Sequence, residues 1–159
     1  MNWLKKGMFF RPSGKGDALT HGFVPTAELI DQNLLRIYFS TRDKNLVSRI
    51  RYIDVDPKNM EIIYTSPEPI LNTGEFSCFD EDGVVPSSII NIRDEKYLYY
   101  FGWQKTFSNG YMLLCGLAIS KDDGKTFKRF SKTPLLERSD REPFQRSTVS
   151  VLRDNNIFR

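Results

Sequence analysis

The sequence predicts an all-β chain organised as a β-propeller, about two and a half four-stranded blades of it. Three observations carry this reading. The stretch "HGFVPTAELI" (21–30) returns as "EDGVVPSSII" (81–90), with Pro25 and Pro86 61 positions apart. Other echoes keep nearly the same spacing: "LLRIYFSTRD" (34–43) with "KYLYYFGWQK" (96–105), "SRIRYIDVD" (48–56) with "LLCGLAISKD" (113–122), and "PIL" (69–71) with "PLL" (134–136). No window shows the three-four apolar spacing of a helix, whereas the echoing runs are rich in β-branched and aromatic residues.

Taken in order, the first blade spans about 21–66, the second about 82–132, and a third begins over about 144–159, where "RSTVSVLRDNN" falls on the Val-Pro position for a third time. Polar loops rich in Pro, Gly, Ser and charge separate them, over 65–83 and 132–145. The early run "WLKKGMFF" reads as a strand of a closing blade. Ser120, Asp122, Gly124, Thr126 and Phe127 spell S-x-D-x-G-x-T-F, which resembles the Asp-box turn of sialidases and other propellers. There Asp122 accepts from backbone N–H groups, Gly124 supplies a positive φ, and the aromatic packs into the sheet, so the motif stabilises a hairpin. Two and a half blades leave sheet edges and faces uncovered, so the chain is expected either to be truncated or to complete its ring with further blades or another copy.

Composition narrows the function classes. The chain has 159 residues, with 23 basic against 20 acidic side chains and a net charge of +3. The signs are interspersed, without the basic block that nucleic acid or an anionic membrane demands. No stretch approaches a membrane span, and the apolar run near the N-terminus is too short for a signal peptide, so a reduced cytoplasmic location is the expectation. Cys78 and Cys115 allow one disulfide at most and do not describe a stapled secreted scaffold. No zinc spacing, phosphate loop or nucleophile elbow is present, and neither a metal nor a cofactor is expected.

Alternation of antiparallel strands decides which residues meet. Loops entering the first strand of each blade, and those joining its second to its third, emerge on one face; the Asp-box emerges on the other. The first face collects His21, Arg42 and Asp43 from blade one, Asp80, Asp82 and Trp103 from blade two, and Glu142 and Arg146 from blade three. Carboxylates so gathered can act as acid and base on a glycosidic bond, and here the candidates are Asp80, Asp82 and Glu142. His21, Arg42, Asp43, Trp103 and Arg146 are the candidates for binding, since aromatic faces stack on sugar rings and charged groups bond hydroxyls. Taken singly, each has a plain structural alternative: a loop ion pair, a solvated acidic turn, an inter-blade aromatic.

The runs "VPTAELIDQNLLRIYFSTRD", "VVPSSIINIRDEKYLYYFGW" and "RSTVSVLRDNN" resemble the blade openings of five-bladed propeller glycosidases, the group around glycoside hydrolase family 43. The wider pattern, from "HGFVPTAELI" through "FDEDGVVPSSII" and "GLAISKDDGKTF" to "EPFQRS", is similar to bacterial propeller proteins of that group associated with polysaccharide biosynthesis loci. The resemblance implies a five-bladed ring and a carbohydrate ligand. It also exposes departures. Where the family carries its base, before the first Pro, this chain has Val24; after the second Pro it has Ser87; the third opening is Arg146-Ser147-Thr148. The family's general acid would lie beyond Arg159. The expected function is therefore glycoside hydrolase-like action, hydrolase or phosphorylase, in bacterial surface polysaccharide metabolism. The alternatives are a non-catalytic glycan-binding module and a fragment with no function of its own.

Overall fold

The chain is all-β in the computed structural model, which describes residues 2–5, 7–108, 110–154 and 157–159. No helix occurs among the described residues. Four strands, β1 (Thr20–Asp31), β2 (Leu34–Arg42), β3 (Ser48–Val55) and β4 (Ile62–Thr65), form an antiparallel meander. Four more, β5 (Gly83–Ile92), β6 (Glu95–Thr106), β7 (Gly110–Ser120) and β8 (Lys128–Arg129), form a second. A short hairpin of β9 (Arg153–Asp154) and β10 (Ile157–Phe158) closes the described chain.

Among the described residues, one parallel bridge pairs a strand of each meander, Ser48 of β3 with Gly83 of β5, and the Phe127 N–H adds a bond to the carbonyl of Ile70, which is itself held by Ile50 of β3. Packing supplies the rest. One face of the first meander, with Tyr38, Ile50 and Tyr52, meets Val84, Leu98, Tyr100, Leu114 and Ala118 of the second, with Ile70, Leu71, Phe79 and Phe127 filling between. Period-two alternation divides β2 between its two faces: Tyr38 enters this core, whereas Ile37 and Phe39 join Ile53 and Val55 behind it. Phe10 covers that second cluster, its ring 4.6 Å from Phe39.

The echoes in the sequence are physical equivalences. Leu71 of "PIL" bridges Ile50 of β3, and Leu136 of "PLL" bridges Cys115 of β7. The parallel Ser48–Gly83 pair has a counterpart in Leu114–Arg146. The 146–152 run then lies along β5, where Ser87 Oγ donates to the Val149 carbonyl (2.7 Å) and accepts from the Val149 N–H (3.0 Å).

One expectation is corrected. Among the described residues of "WLKKGMFF" (Lys6 lies outside them) no strand forms, because the segment covers apolar surface through Phe10 rather than pairing. Both cysteines are free. Cys115 is enclosed by the sheet, and burial pushes its thiol up to about 11.

Candidate functional site

The register fixes which strand ends face together. Thr20 pairs with Arg42, Arg42 with Ser48, Gly83 with Trp103, and Thr106 with Gly110. The Ser48–Gly83 bridge sets these ends side by side. At the other ends lie the turns between Asp31 and Leu34, between Ile92 and Glu95, and after Ser120.

At the first end the two meanders meet through Arg42 and Trp103. Trp103 Nε1 donates to Ser48 Oγ (2.8 Å), and its ring stands edge-on to Tyr111, 6.2 Å away. The Arg42 guanidinium lies 5.7 Å from the centre of the Trp103 ring and 4.9 Å from that of Phe23, within cation–π range of both. Two irregularities in the β1–β2 register, either side of Phe23, swing the start of β1 and bring Phe23 over Arg42. His21, in this distorted stretch with φ of 60°, is exposed; its Nδ1 shares a 2.8 Å hydrogen bond with Thr20 Oγ1, and its ring is 6.1 Å from Phe23. Val24, at the position where the resemblance expects a carboxylate, is a β-branched residue held at φ 51°.

The carboxylates of this end have different surroundings. Asp43 shapes the β2–β3 turn: Oδ1 accepts from the N–H groups of Asn45 (2.8 Å) and Val47 (3.0 Å), and Oδ2 from Arg49 (2.9 Å). Burial pushes its pKa up, but the bonds from Arg49, Val47 and Asn45 outweigh burial and hold it below the usual carboxylate range. Asp82 accepts the Lys105 N–H (2.7 Å), with the Lys105 ammonium at 3.4 Å. Glu142 is joined to Arg146 Nε at 2.6 Å, while Arg146 Nη1 donates to the Glu137 carbonyl and its N–H to Leu113, the partner of Trp103. Asp80 is fully enclosed. Its Oδ2 accepts from Tyr100 Oη (2.9 Å) and Arg129 Nε (2.7 Å), which ties the loop before β5 to β6 and β8. A methyl on Gly74 or Gly102 would overlap Asp80, so the fold closes over this carboxylate and keeps it from touching a ligand.

Thus His21, Arg42, Asp43, Asp82, Trp103, Glu142 and Arg146 stand on strand ends or loops of one end, and Asp80 lies inside it. Sequence reasoning missed Ser48, Phe23, Tyr111 and the basic pair Arg49 and Arg51. Arg51 donates to the carbonyls of Ser66 and Pro67 and to Asp17. The alternation in "SRIRYID" was the available signal: arginines at every second position of a strand share a face. A cleft of about 550 Å³ lined by Asp17, Leu19, Asp43, Lys44 and Arg49 adjoins this end.

The opposite end is built for cohesion. Asp122 accepts from the N–H groups of Lys125 (3.1 Å) and Thr126 (2.9 Å) and from the hydroxyls of Ser120 and Thr126, the arrangement expected of the Asp-box. The loop wedges beneath the first meander: Arg36 donates to the Asp123 carbonyl, and Phe127 stands edge-on to Tyr38. Glu28 accepts from Lys96 Nζ (2.6 Å), Asn91 Nδ2 (2.7 Å) and Tyr38 Oη (3.3 Å) in a buried bridge between the meanders. Among the described residues, no helix is long and apolar enough to cross a membrane, and no group of three His, Cys, Asp or Glu could hold a metal ion.

Comparison with known proteins gives two kinds of relative. The uncharacterized proteins MT1551 and Rv1502 of Mycobacterium tuberculosis are each 36% identical over the whole of this chain, which spans about half (54%) of their length. Among solved structures, a glycoside hydrolase is similar with a TM-score of 0.62 at 16% identity, over 84% of this chain and 44% of that one. A complex of BT0996 with RGII matches at 0.63 and 14% identity, with the same coverage. Zg3597, a family 117 glycoside hydrolase of the marine bacterium Zobellia galactanivorans, matches at 0.59 and 17% identity, over 76% of this chain and 35% of that one. No family model matches the chain. The fold is therefore one found in glycoside hydrolases.

Proposed function

We propose that the two meanders are neighbouring blades of a β-propeller, with 146–154 part of the opening of a third, and that the Arg42–Trp103 end is the rim on which a carbohydrate binds. The observation that carries this is the convergence of Arg42, Trp103 and Phe23 from both meanders onto one spot, in a fold found in glycoside hydrolases. An aromatic face with charged groups around it suits a sugar, whose ring is apolar on its faces and hydroxylated at its edge. The M. tuberculosis relatives are nearly twice as long, which favours further blades completing a ring, five in all, and contributing to the same rim.

Within this reading Asp82 and Glu142 are the acid/base candidates, and Asp80 is a positioning residue that holds Tyr100 and Arg129 from inside. A second reading, binding without turnover, is favoured by one specific observation. Val24 and Ser87 stand where the resemblance expects carboxylates, whereas glycoside hydrolysis needs two carboxyl groups flanking the bond. Calorimetric titration of a panel of oligosaccharides, followed by chromatography of the same mixtures for cleavage, tests both. Saccharide binding lost in Trp103→Ala supports the rim. Cleavage abolished by Asp82→Asn or Glu142→Gln selects the enzyme, and binding without cleavage selects the module. Absence of binding to every saccharide would overturn the proposal.

A further inference from the structure

The half-buried or buried cations at the Arg42–Trp103 end fall into two groups. Arg49 has Asp43, Arg51 has Asp17 and Arg146 has Glu142. Arg42 has no carboxylate and no hydrogen-bond acceptor among the described residues; it has two ring faces. Its Nε is shut away from solvent without a partner, so the side chain already bears a desolvation cost that no described residue offsets. Its two Nη nitrogens are not enclosed in this way and form the edge that remains for a ligand. The Phe23 and Trp103 rings, 4.9 and 5.7 Å from its guanidinium carbon, confine the side chain, and the planar guanidinium fork matches a carboxylate bidentately. Tyr111, exposed and edge-on to Trp103, offers a further aromatic face at this end for a sugar ring.

Building on the saccharide-binding reading, we infer that Arg42 is a specificity residue that takes the carboxylate of a uronic acid unit, so that the ligand is an acidic saccharide. The counter-ion that no described residue provides is supplied by the ligand.

Three ligands of equal length test this: a uronic acid oligosaccharide, its carboxyl-reduced neutral counterpart, and a sulfated neutral oligosaccharide, each titrated calorimetrically into the chain. The uronic acid form is expected to bind about tenfold or more tighter than the reduced form, and the gap to shrink as salt is raised. In Arg42→Gln the two are expected to bind within about twofold of each other, and Arg42→Lys to restore only part of the preference. Because these variants could loosen the rim, the comparison of ligands on the unaltered chain stands by itself. Equal affinity for the uronic acid and reduced forms there overturns the inference while leaving saccharide binding intact. Preference for the sulfated ligand overturns the carboxylate assignment, and failure of all three ligands to bind overturns the saccharide reading and this one with it.

Discussion

Gly83 is where a strand of the second meander pairs with one of the first, and Gly83→Ala is the sharpest test of how the site is assembled. A methyl there would overlap Trp103 Nε1 and Ser48 Oγ, the two atoms of the 2.8 Å hydrogen bond that anchors the indole. Gly83 has no positive φ, so alanine meets no backbone penalty, and restricting the unfolded chain would by itself favour the variant by about 0.4–1 kcal/mol. Against this stand the lost bond, about 1 kcal/mol, and the overpacking, about 1–3 kcal/mol. The net expectation from these opposing effects is a loss of about 1–3.6 kcal/mol. Urea unfolding monitored by circular dichroism gives the stability. Indole emission reports the displacement of Trp103, read in a Trp3→Phe background because Trp3 is 89% exposed and would dominate the signal. Ser48→Ala removes one of the two obstructing atoms, so the double variant should cost less than the sum of the singles. A Gly83→Ala protein as stable as the parent, with unshifted emission, would refute the packing argument.

Other predictions follow from the same geometry. Lys96→Met strands the buried Glu28 carboxylate and should cost about 3–5 kcal/mol in urea unfolding, much of it regained when Glu28→Gln is added. Burial pushes the Asp122 pKa up, but the bonds from Thr126, Ser120 and Lys125 outweigh it and the group sits below its ordinary value. A depressed carboxylate stabilises the fold above its unfolded pKa of about 4, and that contribution is lost as pH falls through the folded value; Asp122→Asn should flatten the acid limb of the stability curve. With its thiol at about 11 and enclosed, Cys115 should resist a disulfide reagent at pH 8 until denaturant is added, while the half-buried Cys78 reacts in the native protein.

Much of the architecture was legible because it is periodic. The recurrence of Val-Pro steps and of aromatic runs marks equivalent strands, and "PIL" and "PLL" are equivalent pairing segments on β3 and β7. The shared end of His21, Arg42, Asp82 and Trp103 followed from counting strand reversals. What was not legible depends on partners distant along the chain. "FDEDG" reads as an exposed acidic turn, yet Asp80 is enclosed because Tyr100 and Arg129 reach it from 20 and 49 residues away. Phe23 reaches Arg42 through backbone irregularities that composition does not encode. The N-terminal run has strand-like composition, and the apolar cluster behind β2 explains why Phe10 packs there instead.

The Ser48–Gly83 pair, which joins a strand of each meander, makes their junction a fulcrum. Arg42 and Trp103 stand beside it, whereas the Asp-box wedge and the Glu28–Lys96 bridge act at the far arm. Splaying the sheets apart at that arm would open a gap that shrinks to almost nothing at the pivot. Damage there should therefore weaken the molecule long before it detunes the distance between the arginine and the indole.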